Sequence, residues 1–142
     1  MKVRVHRLAP HVDLPGRATE GSAGLDLASS EDVTIDPGQI VLVPTGLVIE
    51  VPPGHFLGIF ARSSTPLKRG LVIPNGVGIV DSDYCGPRDE VRVQLLNITQ
   101  APVQVRRGDR LAQAILIPFV GVDWEETSQP AGPDRGGFGS TG

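Results

Sequence analysis

The 142-residue chain has one cysteine, one tyrosine, one tryptophan, one methionine and four phenylalanines, and it carries little net charge, −3. Each scarcity removes a class of function. The lone Cys85 rules out an intrachain disulfide and any zinc site built on cysteines. The histidines, His6, His11 and His55, have no paired ligand spacing, and no serine sits in a nucleophile elbow, so neither zinc nor covalent chemistry is signalled. With 13 basic against 16 acidic side chains there is no broad cationic surface for a phosphodiester backbone, and nucleic acid is not an expected partner. No apolar run approaches the ~20 residues that span a bilayer, since the longest, Leu111 to Val120, contains Gln113 and Pro118; no membrane partner is expected. The opening Met-Lys-Val-Arg-Val-His lacks the apolar core of a signal peptide, which together with the single thiol gives a cytoplasmic expectation.

What the chain does have is glycine (18) and proline (13), with valine and isoleucine in short runs between them. This composition suits strands joined by tight turns, and the length suits one core. Val3 to Leu8 alternates apolar and basic residues and reads as a half-buried strand. Asp36-Pro37-Gly38, Thr45-Gly46 and Pro52-Pro53-Gly54 punctuate the strands that follow, Val91 to Leu96 and Val103 to Arg106 alternate again, and Leu111 to Val120 closes the core. A brief helix fits only after Arg62-Ser63-Ser64. Around ten strands imply two packed sheets, an all-β, jelly-roll-like β-sandwich with at most one short helix. The expected body is residues 1–129. Residues 130–142 are Gly-rich and nearly devoid of groups to bury, and they read as a flexible tail.

The stretch that packing alone does not account for is Asn75 to Gly86, Asn-Gly-Val-Gly-Ile-Val-Asp-Ser-Asp-Tyr-Cys-Gly. Gly76 and Gly78 leave the backbone open to close approach, Asp81 follows an apolar run, Asp83 stands two residues on, and Tyr84 adds a flat amphipathic face. Leu71 to Ile73 and Val77 to Val80 read as the arms of a β-hairpin, with Asn75 at its turn and Asp81 at the far end of one arm. Turn chemistry explains the same residues equally well. Arg62-Ser63-Ser64 offers donors for phosphate oxygens, or else a helix N-cap beside a surface arginine. Asp26 interrupts the apolar Ala23-Gly24-Leu25-Asp26-Leu27-Ala28, and Gln113 enters an apolar strand after Gly108-Asp109-Arg110. The tail Arg135-Gly136-Gly137-Phe138-Gly139-Ser140-Thr141-Gly142 has no lysine, preceding strand or following helix, which excludes a Walker site. Its phenylalanine among glycines can cover a flat base while amides and hydroxyls meet phosphates.

These five segments, in this order and spanning nearly the whole chain, resemble the five motifs of the homotrimeric dUTPases. The resemblance implies a dUTPase-like β-clip that assembles as a trimer and cleaves dUTP to dUMP and pyrophosphate, with three chains contributing to each site. Asp81 would be the base that deprotonates the attacking water. Asn75 and the backbone near Gly78 would read the uracil edge, and Tyr84 would underlie the deoxyribose and exclude a 2′-hydroxyl. Arg62, Ser63, Ser64 and Gln113 would hold phosphates. Phe138 would stack on the base while Gly139, Ser140 and Thr141 meet phosphates, and Asp26 and Asp83 would support the site. Mg²⁺ would ride on the triphosphate rather than in a protein cage, so no metal-ligating residue is assigned.

Two departures accompany the resemblance. The arginine that the family places three residues before the paired glycines is replaced by Pro133, while Arg135 lies directly before Gly136, so the γ-phosphate falls either to Arg135 or to another group. The segment Pro87-Arg88-Asp89-Glu90 is longer than in the shortest family members. Two other readings share the fold. A dCTP deaminase has a catalytic glutamate where this chain has Gln94, three residues before Asn97. A non-catalytic dUTP-binding regulator would have no need for Asp81 and the tail.

Overall fold

A computed structural model describes residues 1–139. Among these residues ten strands and one short helix form, in the order β1 (Arg4–Arg7), β2 (Leu25–Ala28), β3 (Val33–Ile35), β4 (Ile40–Glu50), β5 (His55–Ala61), α1 (Ser64–Arg69), β6 (Leu71–Val72), β7 (Gly78–Val80), β8 (Val91–Asn97), β9 (Val103–Val105) and β10 (Arg110–Pro118). They build two four-stranded sheets, ordered β1-β4-β8-β6 and β2-β10-β5-β7, and a ribbon of β3 with β9. Every pairing is antiparallel. This is the expected all-β sandwich.

The core lies between the two sheets, because each strand turns one face inward at a period of two. In β8, Val91, Val93 and Leu95 are buried while Arg92 points out. Val43 and Ile49 of β4 meet Leu27, Leu57, Ile59 and Leu111 of the other sheet in a single cluster, and Ile35 and Val105 bring the ribbon into it. The buried polar residue at the far end, Asn97, is fully paired: its Nδ2 donates to the carbonyls of Ile35 and Ala101, both at 2.8 Å, and its Oδ1 accepts from Thr99. Asn97 is therefore a structural residue.

One expectation is corrected. Leu71 to Ile73 and Val77 to Val80 are not the arms of a hairpin: β6 pairs with β8 in one sheet, and β7 pairs with β5 in the other. Pro74 lacks a ladder donor, Gly76 adopts φ +75°, and the Gly76 N–H closes a turn onto the Ile73 carbonyl at 3.1 Å, so the chain rounds a corner between sheets. The corner puts Asn75 and Asp81 at opposite ends of a short strand on a sheet edge.

The turn from Arg106 to Asp109 is tied to α1 and to the end of β2. The Asp109 carboxylate accepts from the Arg106 N–H at 2.9 Å and from Arg69 at 2.7 Å, while Gly108 and Asp109 exchange backbone bonds with Ser29. The bond from the Arg69 side chain, with the Arg106 amide and despite partial desolvation, holds the Asp109 carboxyl below the ordinary carboxylate range. A lowered folded-state pKa contributes stability that is complete above the unfolded-state value and lost as pH falls through the folded one. Asp109→Asn should therefore lower Tm by ~2–4 °C at pH 7, for ~1 kcal/mol from a partly exposed pair, and by progressively less as pH falls below the ordinary carboxylate range. Equal losses at neutral and at acid pH in a thermal melt would remove this ion pair from the account.

Candidate active site

The sequence-predicted residues gather in two places. The first is a cleft of ≈ 300 Å³ whose lining includes Asn75, Gly78, Asp81 and Tyr84, with Ile59, Gln94 and Arg92 opposite. It exists because β7 is short: the strand delivers Val80 into the core and releases Asp81 to the surface one residue later. A turn then closes from the Tyr84 N–H to the Asp81 carbonyl at 3.2 Å, and the Tyr84 hydroxyl donates to the Glu90 carbonyl at 3.2 Å. Asp83 lies exposed within that turn. Gly78 is needed for packing as well as for access, since a Cβ there would stand 3.1 Å from the Cβ of Ile59, its cross-strand partner.

The second is a hollow of ≈ 250 Å³ bordered by Ser22, Gly24, Asp26, Arg62, Ser63 and Gln113. Asp26, placed mid-strand beside Gln113 by the β2–β10 register, is only 11% exposed. Its oxygens face Arg62 Nε at 2.9 Å and Arg110 Nη1 at 3.3 Å. Arg62 also donates from Nη1 to the Arg110 carbonyl at 3.2 Å. Two of its three nitrogens are thus committed, and the guanidinium has one orientation. Ser63 occupies the N-cap of α1 without a side-chain capping bond, which weighs against the purely structural reading of Arg62-Ser63-Ser64. Ser64 opens the helix and is half-buried. Arg110 belongs to this group but carried no signal in sequence beyond its place next to Asp109.

Gln113 is held by shape. Its Nε2 donates to the Ala61 carbonyl at 3.1 Å, and a Cβ on Gly24 would come within 2.3 Å of its Oε1 and 2.9 Å of its Cβ. This accounts for the glycine before Leu25-Asp26. Gly24→Ala should displace Gln113, lowering kcat/KM ~10-fold and stability by ~1–3 kcal/mol through overpacking. Kinetics unchanged beside a lowered melting point would make Gln113 a packing residue only.

The two groups are not adjacent on one chain. Val80 registers with Leu57, so Asp81 stands at the level of Phe56, six residues before Arg62. At ~3.3 Å per residue that is on the order of 20 Å. Arg135, Phe138 and Gly139 line neither place: they lie in the exposed segment after Pro118, where Phe138 is fully exposed at φ +52° between Gly136 and Gly139, also at positive φ. The expectations for Ser140 and Thr141 fall outside the described residues. A further open hollow of ≈ 890 Å³, lined in part by Leu8, Ala9, His11 and Val12, contains none of the candidate site residues. Among the described residues no three His, Cys, Asp or Glu side chains converge as a cation site, and no helix is long and apolar enough to cross a membrane.

A cleft with a carboxylate beside an amide and a tyrosine, and a separate hollow with an oriented arginine, match the segment order found along the sequence. Comparison with known proteins agrees over the whole length. The chain is 45% identical over 141 residues to a deoxyuridine 5′-triphosphate nucleotidohydrolase of Anaeromyxobacter sp. (strain Fw109-5), covering 98% of this chain and 94% of that protein. It is 46% identical over 134 residues to one of Desulfitobacterium hafniense (strain DSM 10664 / DCB-2), covering 91% and 87%. The crystal structure of the dUTPase from Streptococcus mutans superposes with a TM-score of 0.78 at 37% identity, over 84% of this chain and 98% of that one. With the dUTPase family model also matching residues 10–142, the chain belongs to the dUTPase family.

Proposed function

We propose that this chain hydrolyses dUTP to dUMP and pyrophosphate at sites assembled from neighbouring copies in a homotrimer, with Asp81 as the general base. The observation that carries the mechanism is the grouping of Asp81 with Asn75 and Tyr84 in one cleft, apart from Arg62, Ser63 and Gln113. Asn75 faces the base edge, Tyr84 supports the sugar, and the α-phosphate then lies at the Asp81 end. Asp81 takes a proton from water as the water oxygen bonds to the α-phosphorus; the bond from that phosphorus to the bridging oxygen breaks, and pyrophosphate leaves. Arg62, oriented by Asp26, presents its remaining nitrogen, Nη2, to phosphates bound in a partner's cleft, with Ser63, Ser64 and Gln113 beside it.

Mg²⁺ fits this site as a passenger on the phosphates. The described residues gather no set of three ligating side chains, whereas a triphosphate brings its own oxygens. Bound there it would offset charge that builds on the leaving pyrophosphate. The tail supplies a cover: Phe138 stacks on the base, at ~1–3 kcal/mol, and Arg135, Gly139, Ser140 and Thr141 meet phosphate oxygens, which together offset the entropy of ordering the segment.

The test is pyrophosphate and ammonia release, measured side by side with dUTP, dCTP, dTTP and UTP in the presence of Mg²⁺. Pyrophosphate from dUTP without ammonia is expected. Ammonia from dCTP would favour the deaminase reading, and binding of dUTP without turnover the regulator.

A further inference from the structure

Tyr84 turns its ring toward the cleft of Asn75 and Asp81 from a loop outside any strand, and the residue is 42% exposed. A ring so placed ordinarily swings between rotamers. This one is tied at its tip to the Glu90 carbonyl and at its backbone to Asp81. Glu90 is itself fixed from two sides. Its carboxylate is 13% exposed; Oε1 accepts the Gly46 N–H at 2.7 Å, and Oε2 lies 3.2 Å from both Nε and Nη2 of Arg92.

Gly46 is a firm post. It sits at φ +70° in the bulge where β4 slips register between Pro44 and Leu47, and Thr45 Oγ1 bonds the Val91 carbonyl at 2.5 Å across the same bulge. Val12 presses on Gly46 so closely that a Cβ there would lie 2.4 Å from a Val12 methyl, and the Leu8 N–H donates to the Gly46 carbonyl at 2.8 Å. A continuous series of ties therefore runs from the buried bulge through the Glu90 carboxylate to the Tyr84 ring.

We propose that Glu90 is a positioning residue that acts through Tyr84 to set discrimination between deoxyribose and ribose; the sugar assignment rests on the reading of this cleft as the dUTP site. The chemical reason is size. A 2′-hydroxyl adds one oxygen, and a wall able to give by an ångström accommodates it, which is why such rejection by shape reaches only ~10² even in well-formed pockets. A ring held at both ends cannot give in this way. Glu90 also borders the cleft, so direct contact with the ligand is the competing route, and the Tyr84 ring signal measured without substrate separates the two.

The experiment compares wild type with Glu90→Ala, Glu90→Gln, Tyr84→Phe and the double variant Tyr84→Phe/Glu90→Ala, measuring kcat and KM for dUTP and UTP. Tyr84 is the only tyrosine, so selective labelling also gives its ring as a single NMR signal without any substrate. Glu90→Ala should raise KM for dUTP ~10-fold with kcat within ~3-fold, cut the preference for dUTP over UTP ~10-fold, and change the ring signal to that of a mobile side chain. Glu90→Gln, which still offers an oxygen to the Gly46 N–H, should restore most of both. The double variant should be no worse than Tyr84→Phe alone, because the two act as one unit. An unchanged ring signal in Glu90→Ala, or additive losses in the double variant, would overturn the proposal whatever the substrate. A Glu90-dependent ring signal in a chain that does not turn over dUTP would leave Glu90 in its positioning role and overturn the assignment of the cleft instead.

Discussion

Asp81→Asn should reduce kcat for dUTP by ~10²–10⁴-fold while KM and the melting transition stay near wild type. The expectation follows from where the chain puts this carboxylate. Val80 is buried against the opposite sheet, and it fixes the end of β7; the Asp81 side chain beyond it is exposed and forms no hydrogen bond or ion pair among the described residues. Stability therefore owes it little. Asparagine preserves the shape and keeps the backbone turn to Tyr84, whose bond uses the Asp81 carbonyl rather than the side chain. What it loses is the capacity to accept a proton from water as the water attacks. Single-turnover kinetics with dUTP, alongside equilibrium binding of a non-hydrolysable analogue, separate the chemical step from binding. A turnover within tenfold of wild type would take the base role away from Asp81.

The strands were legible because local pattern and burial agree. Val91-Arg92-Val93-Gln94-Leu95 alternates in sequence and alternates in burial, and the apolar stretch after Arg110 became the long strand shared by β2 and β5. The odd carboxylate, Asp26, was legible as an anomaly but not as a geometry. Its partners, Arg62 and Arg110, lie far along the chain, and nothing local says that two guanidinium groups would meet one carboxylate. The corner at Pro74-Asn75-Gly76 was misread for a related reason. Turn residues between two apolar runs specify a reversal, yet whether the runs pair with each other or with separate strands depends on β5 and β8. Glu90 carried no signal at all, because its role lies in a contact with a backbone amide 44 residues away.

The end of the body was obscure on similar grounds. The last strand stops at Pro118, while Phe119, Val120, Val122 and Trp124, all counted in sequence with the 1–129 body, are 50–94% exposed in the single chain. Apolar side chains signal burial without saying against which copy of the chain. Their exposure, like the division of the candidate site, is consistent with the proposed association of copies of this chain.

Mixing two inactive variants should return activity. Asp81→Asn removes the proposed base from the cleft and Arg62→Ala the oriented guanidinium from the other hollow, and on a single chain these lie on the order of 20 Å apart along β5 and β7. In the proposed trimer, a phosphate chain seated at Asp81 would be served by the Arg62 of a neighbouring copy. Each variant alone fails at every site, the first for want of a base and the second because the arginine no longer offsets phosphate charge, a loss of ~10²-fold or more. After co-refolding at equal amounts, a site is intact when its cleft comes from an Arg62→Ala chain and its arginine from an Asp81→Asn chain. Random assortment makes that about a quarter of all sites, so activity should rise from a per cent or less to about a quarter of wild type. The increase should be absent when the assembled proteins are mixed without unfolding and exchange is slow, and it should accompany a trimeric mass by light scattering. If both residues served one site from the same chain, every site in the mixture would still carry a lesion and activity would remain at background. A co-refolded mixture that stays inactive while trimeric and correctly folded would therefore return Arg62 to the same chain as Asp81, and the two hollows would have to close on each other within one subunit.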